Sequence, residues 1–396
     1  MAAYRKLLHL DLDAFFCAVE EQRDAPLKGK AFAVGGRPED RGVVASCSYP
    51  ARAFGVRSAM PMARALRLCP GLIIVSPRHD AYGRASVQVM ERLDTVTPLV
   101  ERVSIDEAFL DVTYRPEPAE ALARQLQERI NQDLSLPCSL GVATNKLVAK
   151  IANDVGKASA QKTDGPPNAV LVVPPGQEAA FLAPLPVASL WGVGAKTAES
   201  LESLGIHTIG DLARWPETDL VRRFGQHGRS LAQYARGIDG SPIETVREAK
   251  SISKETTFPK DVRERDALEG TLLHLSEGVG RELRHEGLTC GTVSIKYRRP
   301  DFTTLTRQIG LRQPTDLDHT IYTSAKRLFL QVWRPGDAVR LLGVAASKLS
   351  SEGAQLSLWA NESEREKRVQ DAVDAIRDRF GGQTVRWGKE TQRGRD

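Results

Sequence analysis

Acidic side chains in two short stretches have the types and spacing to hold hard divalent cations. In Leu8-His9-Leu10-Asp11-Leu12-Asp13 apolar and polar residues alternate strictly. On a strand this sends Asp11 and Asp13 to one face and the leucines to the other. In the second stretch, residues 101–113, Val103 and Ile105 alternate with Ser104 and Asp106, and 108–112 resumes a strand pattern. The spacing predicts a hairpin bend at or near Asp106-Glu107. Neighbours on a regular strand point apart, but a bend turns two adjacent carboxylates toward one cation. A lone Asp-Glu pair at a turn is ordinarily just solvated. Together with Asp11 from the other strand, Asp106 and Glu107 supply what a two-magnesium phosphoryl-transfer centre requires. One ion there activates an attacking hydroxyl and the other neutralises a leaving phosphate.

The elements that must position these groups follow from periodicity. After the first strand, residues 14–20 change to a helical period, so Asp11 lies at a strand-to-helix transition that offers backbone N–H groups to phosphate. Short strands at 31–34, 42–45 and 72–75 surround a helical segment at 61–68, a small α/β insertion between the acidic strands. Within it, Tyr49 and Arg52 are three apart and share a face on a helical turn. Both can donate to a triphosphate, Arg52 bidentately, although such a pair is more often plain surface. A helix at 84–93 leads to the acidic hairpin, and Leu122, Leu126, Ile130 and Leu134 mark an amphipathic helix beyond it. A strand at 138–143 and a helix at 145–153, apolar on one side, complete a palm-like α+β layer. Lys157 follows that helix, within reach of a nucleotide phosphate, and 158–168 reads as a loop.

With 396 residues and 41% hydrophobic content, the chain is ordinary globular material for two to four domains. Its net charge is +5, and the excess is localised. Residues 250–350 hold 17 Lys and Arg against 12 Asp and Glu, while the rest of the chain holds 38 of each sign. That suits a late segment touching a polyanion. The five cysteines (Cys17, Cys47, Cys69, Cys138, Cys290) are widely spaced with no zinc pattern, so neither disulfides nor structural zinc is expected and a reducing, cytoplasmic compartment is. No apolar run approaches about 18 residues, and the N-terminus leads straight into a strand, so neither a membrane span nor a signal peptide is expected.

Further along, Trp191-Gly192-Val-Gly194-Ala-Lys196 with Leu201 and Leu204 looks like a helix-hairpin-helix. The backbone N–H groups at Gly192 and Gly194, with Lys196, would then grip a DNA phosphate without reading sequence; the alternative is a plain helical turn. Residues 240–250 read as a linker. Strand, helix, strand, strand, helix, strand follow at about 251–258, 264–286, 290–299, 303–311, 316–332 and 338–349. In the middle hairpin Lys296, Arg298, Arg299, Arg307 and Arg312 face only Asp301, and alternation puts Lys296 and Arg298 on one face, suiting a phosphate backbone. The tail carries Gln355-Leu356-Ser-Leu358-Trp359, a docking peptide or a strand continuation, then an amphipathic stretch with Val369, Val373, Ile376 and Phe380.

Taken together, Asp11-Leu-Asp13-Ala-Phe-Phe16, Tyr49-Pro-Ala-Arg52, Ser104-Ile-Asp106-Glu107 and Gly141-Val-Ala-Thr-Asn-Lys-Leu-Val-Ala-Lys150 closely resemble the Y-family translesion DNA polymerases, the bacterial DinB group most of all. The resemblance runs from about residue 5 to 359. It implies an α+β, multidomain right hand: palm at 1–14 and 79–169, fingers at 15–78, a helix-hairpin-helix thumb at 170–240, a linker at 241–250, a βαββαβ little finger at 251–350 and a tail at 351–396. It also implies two Mg2+ ions on Asp11, Asp106, Glu107 and the Leu12 carbonyl. Phe15, Phe16, Ser46, Tyr49, Arg52 and Lys157 would bind the dNTP, with Phe16 as the steric gate against a 2′-hydroxyl. Gln355, Leu356, Leu358 and Trp359 would bind a sliding clamp, with Trp359 in place of the usual Phe. Ala158 replaces a common Pro, and Ser48 stands where Asn is common. The expected activity is low-fidelity synthesis past damaged template bases, by a monomer on primer-template DNA. Small residues at Ala45, Ser46 and Ala59 suggest a roomy pocket for that task. A nucleotidyl cyclase and a non-catalytic DNA-binding relative are the competing readings.

Overall fold

The computed structural model describes residues 4–160, 165–351, 361–381 and 384–385. The clamp-peptide expectation at 355–359 falls outside them. The chain divides into two compact units, one of Met1–Pro38 with Gly42–Arg247 and the other of Glu39–Arg41 with Glu248–Asp396.

The strands of the first unit are β1 (Leu7–Leu12), β2 (Phe32–Gly35), β3 (Val44–Cys47), β4 (Ile73–Val75), β5 (Val100–Arg102), β6 (Glu107–Asp111), β7 (Cys138–Ala143) and β8 (Val170–Val172). Its helices are α1 (Phe15–Arg23), α2 (Tyr49–Ala53), α3 (Met62–Leu68), α4 (His79–Asp94), α5 (Ala119–Leu134), α6 (Lys146–Ala160), α7 (Glu178–Leu182), α8 (Ala195–Glu202), α9 (Ile209–Arg214), α10 (Glu217–Phe224) and α11 (Gln226–Tyr234). Five strands form one sheet in the order β5-β6-β1-β7-β8, and three more form a smaller sheet, β3-β2-β4.

The large sheet has two chemically different faces. Leu8, Leu10 and Leu12 of β1, Ala108 and Leu110 of β6, and Leu140 and Val142 of β7 share an apolar core with Leu93 of α4 and Leu126 and Ile130 of α5. The alternate residues, His9, Asp11, Glu107 and Ser139, lie on the opposite face, and α6 covers it. Gly141 lets the helix come to backbone distance, since a Cβ there would stand 1.9 Å from the Ala149 carbonyl oxygen. Two sequence expectations are corrected here. Residues 103–106 lie outside β5 and form the connection to β6, and α6 runs on to Ala160, so Lys157 is in its last turn rather than beyond it. Gly156 does not stop the helix; it is a close-packing residue, where a Cβ would come within 3.2 Å of the Leu171 Cβ.

The second unit contains β9 (Ser251–Val262), α12 (Arg265–His285), β10 (Thr289–Arg298), β11 (Thr304–Thr315), α13 (Asp318–Val332), β12 (Val339–Ser350) and α14 (Asn361–Phe380). Its antiparallel sheet, ordered β11-β10-β12-β9, packs one face on α12 and α13 through Val293, Ile295, Tyr297, Leu272, Val279 and Phe329. All five cysteines are buried and free. Among the described residues no helix is long and apolar enough to cross a membrane.

Helix α14 reverses its expected polarity. Val369, Ile376 and Phe380 are exposed, whereas Gln370 and Arg377 are buried. The polar face docks on α12 and α13. Arg284 donates to Asp374 at 2.6 Å and to Asp318 at 2.9 Å, Gln370 donates to Asp318 at 2.8 Å, and Arg377 donates to Glu277 at 3.2 Å. Burial pushes the Asp318 carboxyl up to about 6, with Arg284 opposing the rise. Removing one member of such a group strands the others in a poorly solvated place. Arg284→Met is therefore expected to cost about 3 kcal/mol or more, read as an earlier urea-unfolding transition of the full chain.

Candidate active site

The site grows out of the junction between β1 and α1. Asp11 pairs with Glu107 across the β1–β6 ladder, and Leu12 N–H donates to the Asp106 carbonyl at 3.0 Å. The early strand and the later bend therefore converge. After Asp13 the chain turns at Ala14, whose backbone is left-handed (φ 49°, ψ 45°), and α1 starts at Phe15. Asp106 is oriented by Ser104, whose Oγ lies 2.6 Å from its carboxylate. A cavity of about 350 Å³ opens here, lined by Asp11, Leu12, Ala14, Phe15, Phe16, Ala45, Ser46, Tyr49, Arg52, Ser58, Ile105, Asp106 and Lys157. It gathers two of the three expected carboxylates and every residue expected to bind a nucleotide. Glu107 and Ala59 are not on its wall.

Helix α6 meets the acidic face with a polar stripe. Lys146, Lys150, Asn153 and Lys157 recur at four-, three- and four-residue steps, which puts them on one side of a helix. Lys146 Nζ lies 2.6 Å from Glu101, Lys150 pairs with Glu107, and Lys157 Nζ lies 2.5 Å from Asp11 and 3.2 Å from Asp13. Asn153 donates to His9 Nδ1 at 3.0 Å, which leaves His9 Nε2–H to donate to Glu107 at 2.5 Å. The carboxylate and this network fix the tautomer. Burial lowers the His9 pKa, with Glu107 opposing the change, so the ring is neutral near pH 7. Sequence reasoning missed His9, Lys150 and Asn153; the helical spacing of the stripe was the available signal for Lys150 and Asn153, and the strand alternation that places Asp11 was the signal for His9.

Burial pushes Glu107 up, but the hydrogen bonds from His9 and Lys150 overcome it and hold the carboxyl down at about 2. Burial raises Asp11 against the opposing pull of Lys157. Burial, with Asp13 nearby, raises the Tyr49 hydroxyl, so it remains a donor. Asp13 is fully buried and accepts from Ser139 Oγ at 2.8 Å and from the Asn168 N–H at 3.0 Å.

The cavity wall bearing Tyr49 and Arg52 is set by α2. Ser48 caps it, accepting from Ala51 N–H, and also ties β2 by accepting from Phe32 N–H at 3.0 Å and donating to the Lys30 carbonyl at 2.9 Å. Serine thus does a capping job open equally to Asn. The turn puts the Arg52 guanidinium over the Tyr49 ring at 4.7 Å. Opposite, Phe16 stacks on Tyr82, with centroids 4.2 Å apart and planes 11° from parallel. Tyr82 is held in turn by Glu20 at 2.7 Å, and Glu20 by Arg78 at 2.5 Å.

The expected metal ligands fit hard cations in chemistry, since Asp11, Asp106, Glu107 and the Leu12 carbonyl are all oxygen donors. Asp11 faces Glu107 in the sheet, and Asp106, just before β6, is joined to Leu12 by a backbone hydrogen bond. The described residues nevertheless contain no group of three acidic, His or Cys side chains gathered closely enough to hold an ion. The carboxylates of Asp11 and Glu107 are satisfied by ammonium groups instead.

The expected DNA contacts divide. Gly192, with φ 92°, and Gly194, which precedes α8, are exposed beside exposed Lys196. On β10, Lys296 and Arg298 share the open face, but Arg307 stands opposite Ile295, in phase with Leu305 and Ile309 on the other face. Arg307 therefore does not belong to the basic surface. Lys296 also has a partner beyond the hairpin. It reaches Glu255 of β9 at 2.8 Å across Gly343 of β12, where no side chain intervenes. Arg299 follows the strand, and its guanidinium lies 6.0 Å from the Tyr297 ring centre.

The Glu107 pairing has a definite pH sense. Its folded pKa lies below the ordinary 4.5, so the pairing stabilises the native chain above about pH 4.5 and that contribution fades as pH falls toward 2. Titration followed by the Glu107 carboxyl carbon resonance should give a midpoint of about 2. Lys150→Met should raise it by about one unit or more.

The chain is similar to known proteins over nearly its whole length. Residues 10–154 match the impB/mucB/samB family, 249–358 its C-terminal domain and 175–206 its HHH motif. A DNA polymerase IV of Desulfatibacillum aliphaticivorans is 42% identical over 386 residues, covering 96% of this chain and 95% of that protein. One of Dehalococcoides mccartyi (strain CBDB1) is 40% identical over 390 residues, covering 97% of each. One of Listeria monocytogenes (strain EGD-e) is 39% identical over 352 residues, covering 88% of this chain and 96% of that protein. A solved Y-family DNA polymerase chimera of Dbh and Dpo4 superposes with a TM-score of 0.75 at 25% identity, covering 87% of this chain and 98% of the other. These likenesses set aside the cyclase and non-catalytic readings. From near-full-length similarity and the matched family models, the chain belongs to the Y-family DNA polymerases, in the DNA polymerase IV group, and is a DNA-directed DNA polymerase.

Proposed function

We propose that this cavity is where a dNTP is joined to a primer 3′-hydroxyl, and that the enzyme copies past damaged template bases with low fidelity. The observation that carries the reading is the composition of its wall. Asp11 and Asp106 stand on the same surface as Tyr49, Arg52 and Lys157, with Phe15 and Phe16 at the start of α1. Two bound Mg2+ ions would activate the primer hydroxyl and neutralise charge on the departing pyrophosphate. Asp11, Asp106, Glu107 and the Leu12 carbonyl would hold them.

The chain's own groups position the reactants. The Tyr49 hydroxyl, Arg52, Lys157 and Ser46 donate to the triphosphate, and the first N–H groups of α1 point their partial positive charge at it. Phe16, braced by Tyr82, lies under the sugar and excludes a 2′-hydroxyl. The 3′-oxygen forms a bond to the α-phosphorus while the bond to pyrophosphate breaks. Ala45, Ser46 and Ser58 leave room over the nascent base pair, which admits lesions and rejects mispairs weakly.

The domain boundaries given from the sequence are part of this proposal, as are phosphate contacts by Gly192, Gly194, Lys196, Lys296, Arg298 and Arg299. So are clamp binding through Gln355, Leu356, Leu358 and Trp359, a monomeric state and a cytoplasmic location. Asp106→Ala, verified as folded, should lower primer extension at least about a thousandfold; extension at the wild-type rate would remove the proposal. Phe16→Ala should retain deoxynucleotide incorporation and raise the relative use of ribonucleotides by about a hundredfold, measured by competing the two on one primer-template.

A further inference from the structure

Among the described residues Lys157 is the sole side-chain donor to Asp11. It lies 2.5 Å from that carboxylate and 3.2 Å from Asp13, and both Lys157 and Asp11 are on the cavity wall with Tyr49 and Arg52. A cation bound at Asp11 and the Lys157 ammonium compete for its Oδ1. Asp13 differs from Asp11: it is fully buried, the Ser139 hydroxyl and the Asn168 N–H hold its Oδ2, and its Oδ1 faces the Lys157 ammonium. Asp11, 28% exposed at its side chain, has oxygens that become free if Lys157 leaves.

We propose that Lys157 is an exchangeable counter-ion, parked on Asp11 while the cavity lacks nucleotide and drawn onto the triphosphate when one enters, which frees Asp11 for a divalent cation. The inference rests on the polymerase reading and adds a coupling to it. A lysine suits the exchange because its ammonium is a compact charge on a flexible four-carbon stem. The several negative charges of a triphosphate outweigh the two carboxylates, Asp11 and Asp13, that hold it at rest. Nucleotide and cation then bind cooperatively, and in their absence the site stays closed to ions.

The test is a Mn2+ titration of the full chain without DNA, with free Mn2+ read by electron paramagnetic resonance. Lys157→Met should bind Mn2+ about tenfold more tightly than the wild type, and Asp11→Asn with Lys157→Met should lose that gain. Lys157→Met should also weaken binding of dATP measured in EDTA by about tenfold. Unchanged or weaker Mn2+ binding by folded Lys157→Met overturns the proposal, as does a gain that survives Asp11→Asn. If the methionine variant does not fold because Asp13 has lost its ammonium, Asp13→Asn with Lys157→Met carries the same comparison to the same outcomes. Primer extension by the wild type, run alongside, separates the two claims. No extension removes the polymerase reading, whereas normal extension with no gain in Mn2+ binding removes the exchange alone.

Discussion

Matched charge between α6 and one face of the large sheet is the constraint on which the first unit depends. A central strand with both faces covered would normally be apolar throughout, because a buried charge without a partner is very costly. Here β1 carries His9 and Asp11 on the covered face, and β6 adds Glu107. The helix answers with Lys146, Lys150, Asn153 and Lys157, and Gly141 lets it lie close enough for those side chains to arrive. A surface rich in negative charge can thus be folded and held by the protein's own cations. The same stripe fixes where the chain goes next. Lys146 donates to the Pro242 carbonyl at 3.3 Å, Glu101 accepts the Glu244 N–H at 2.9 Å, and Asp239 accepts the Leu147 N–H at 3.1 Å. The segment that reads as a plain linker is therefore pinned over its first residues.

Much of this was legible in the residues. Strict alternation in β1 gave the face of Asp11, and the change of period after it gave the start of α1. The six elements from β9 to β12 fall within a few residues of their expected positions because each has a clear period and turn residues between. What escaped depended on partners distant in sequence. The polar side of α6 looks solvent-facing until the sheet's acidic face is known, and Lys157 reads as lying beyond the helix because the helical reading runs only to residue 153. Arg307 reads as one more surface charge until the strand register with β10 is known, and Glu255 enters only through β12, two strands away.

The nucleotide side shows how little local signal some necessary residues carry. Tyr82 sits on α4 with nothing in its neighbourhood to mark it, yet it fixes the plane of Phe16. Ser48 was legible only as a departure from a common Asn, and its three hydrogen bonds explain it as a cap and a strand tie. Ala14 adopts a left-handed backbone that costs an L-residue about 1–2 kcal/mol. The cost falls at the corner where strand becomes helix, next to the carboxylates.

Helix α14 adheres by a different physics from the cores beneath it. Apolar contacts tighten in the presence of excluded salts, whereas ion pairs weaken as salt screens them. The cost of desolvating charges also falls on warming. The Arg284–Asp318 and Arg377–Glu277 pairs of this join lie out of reach of mobile ions, so concentrated electrolyte firms the cores while weakening chiefly the half-exposed Arg281–Asp378 pair, and moderate heat spares the seam. Its outward Val369, Ile376 and Phe380 stay wetted whether it is docked or loose, so hydrophobic burial contributes little to the difference between the two states.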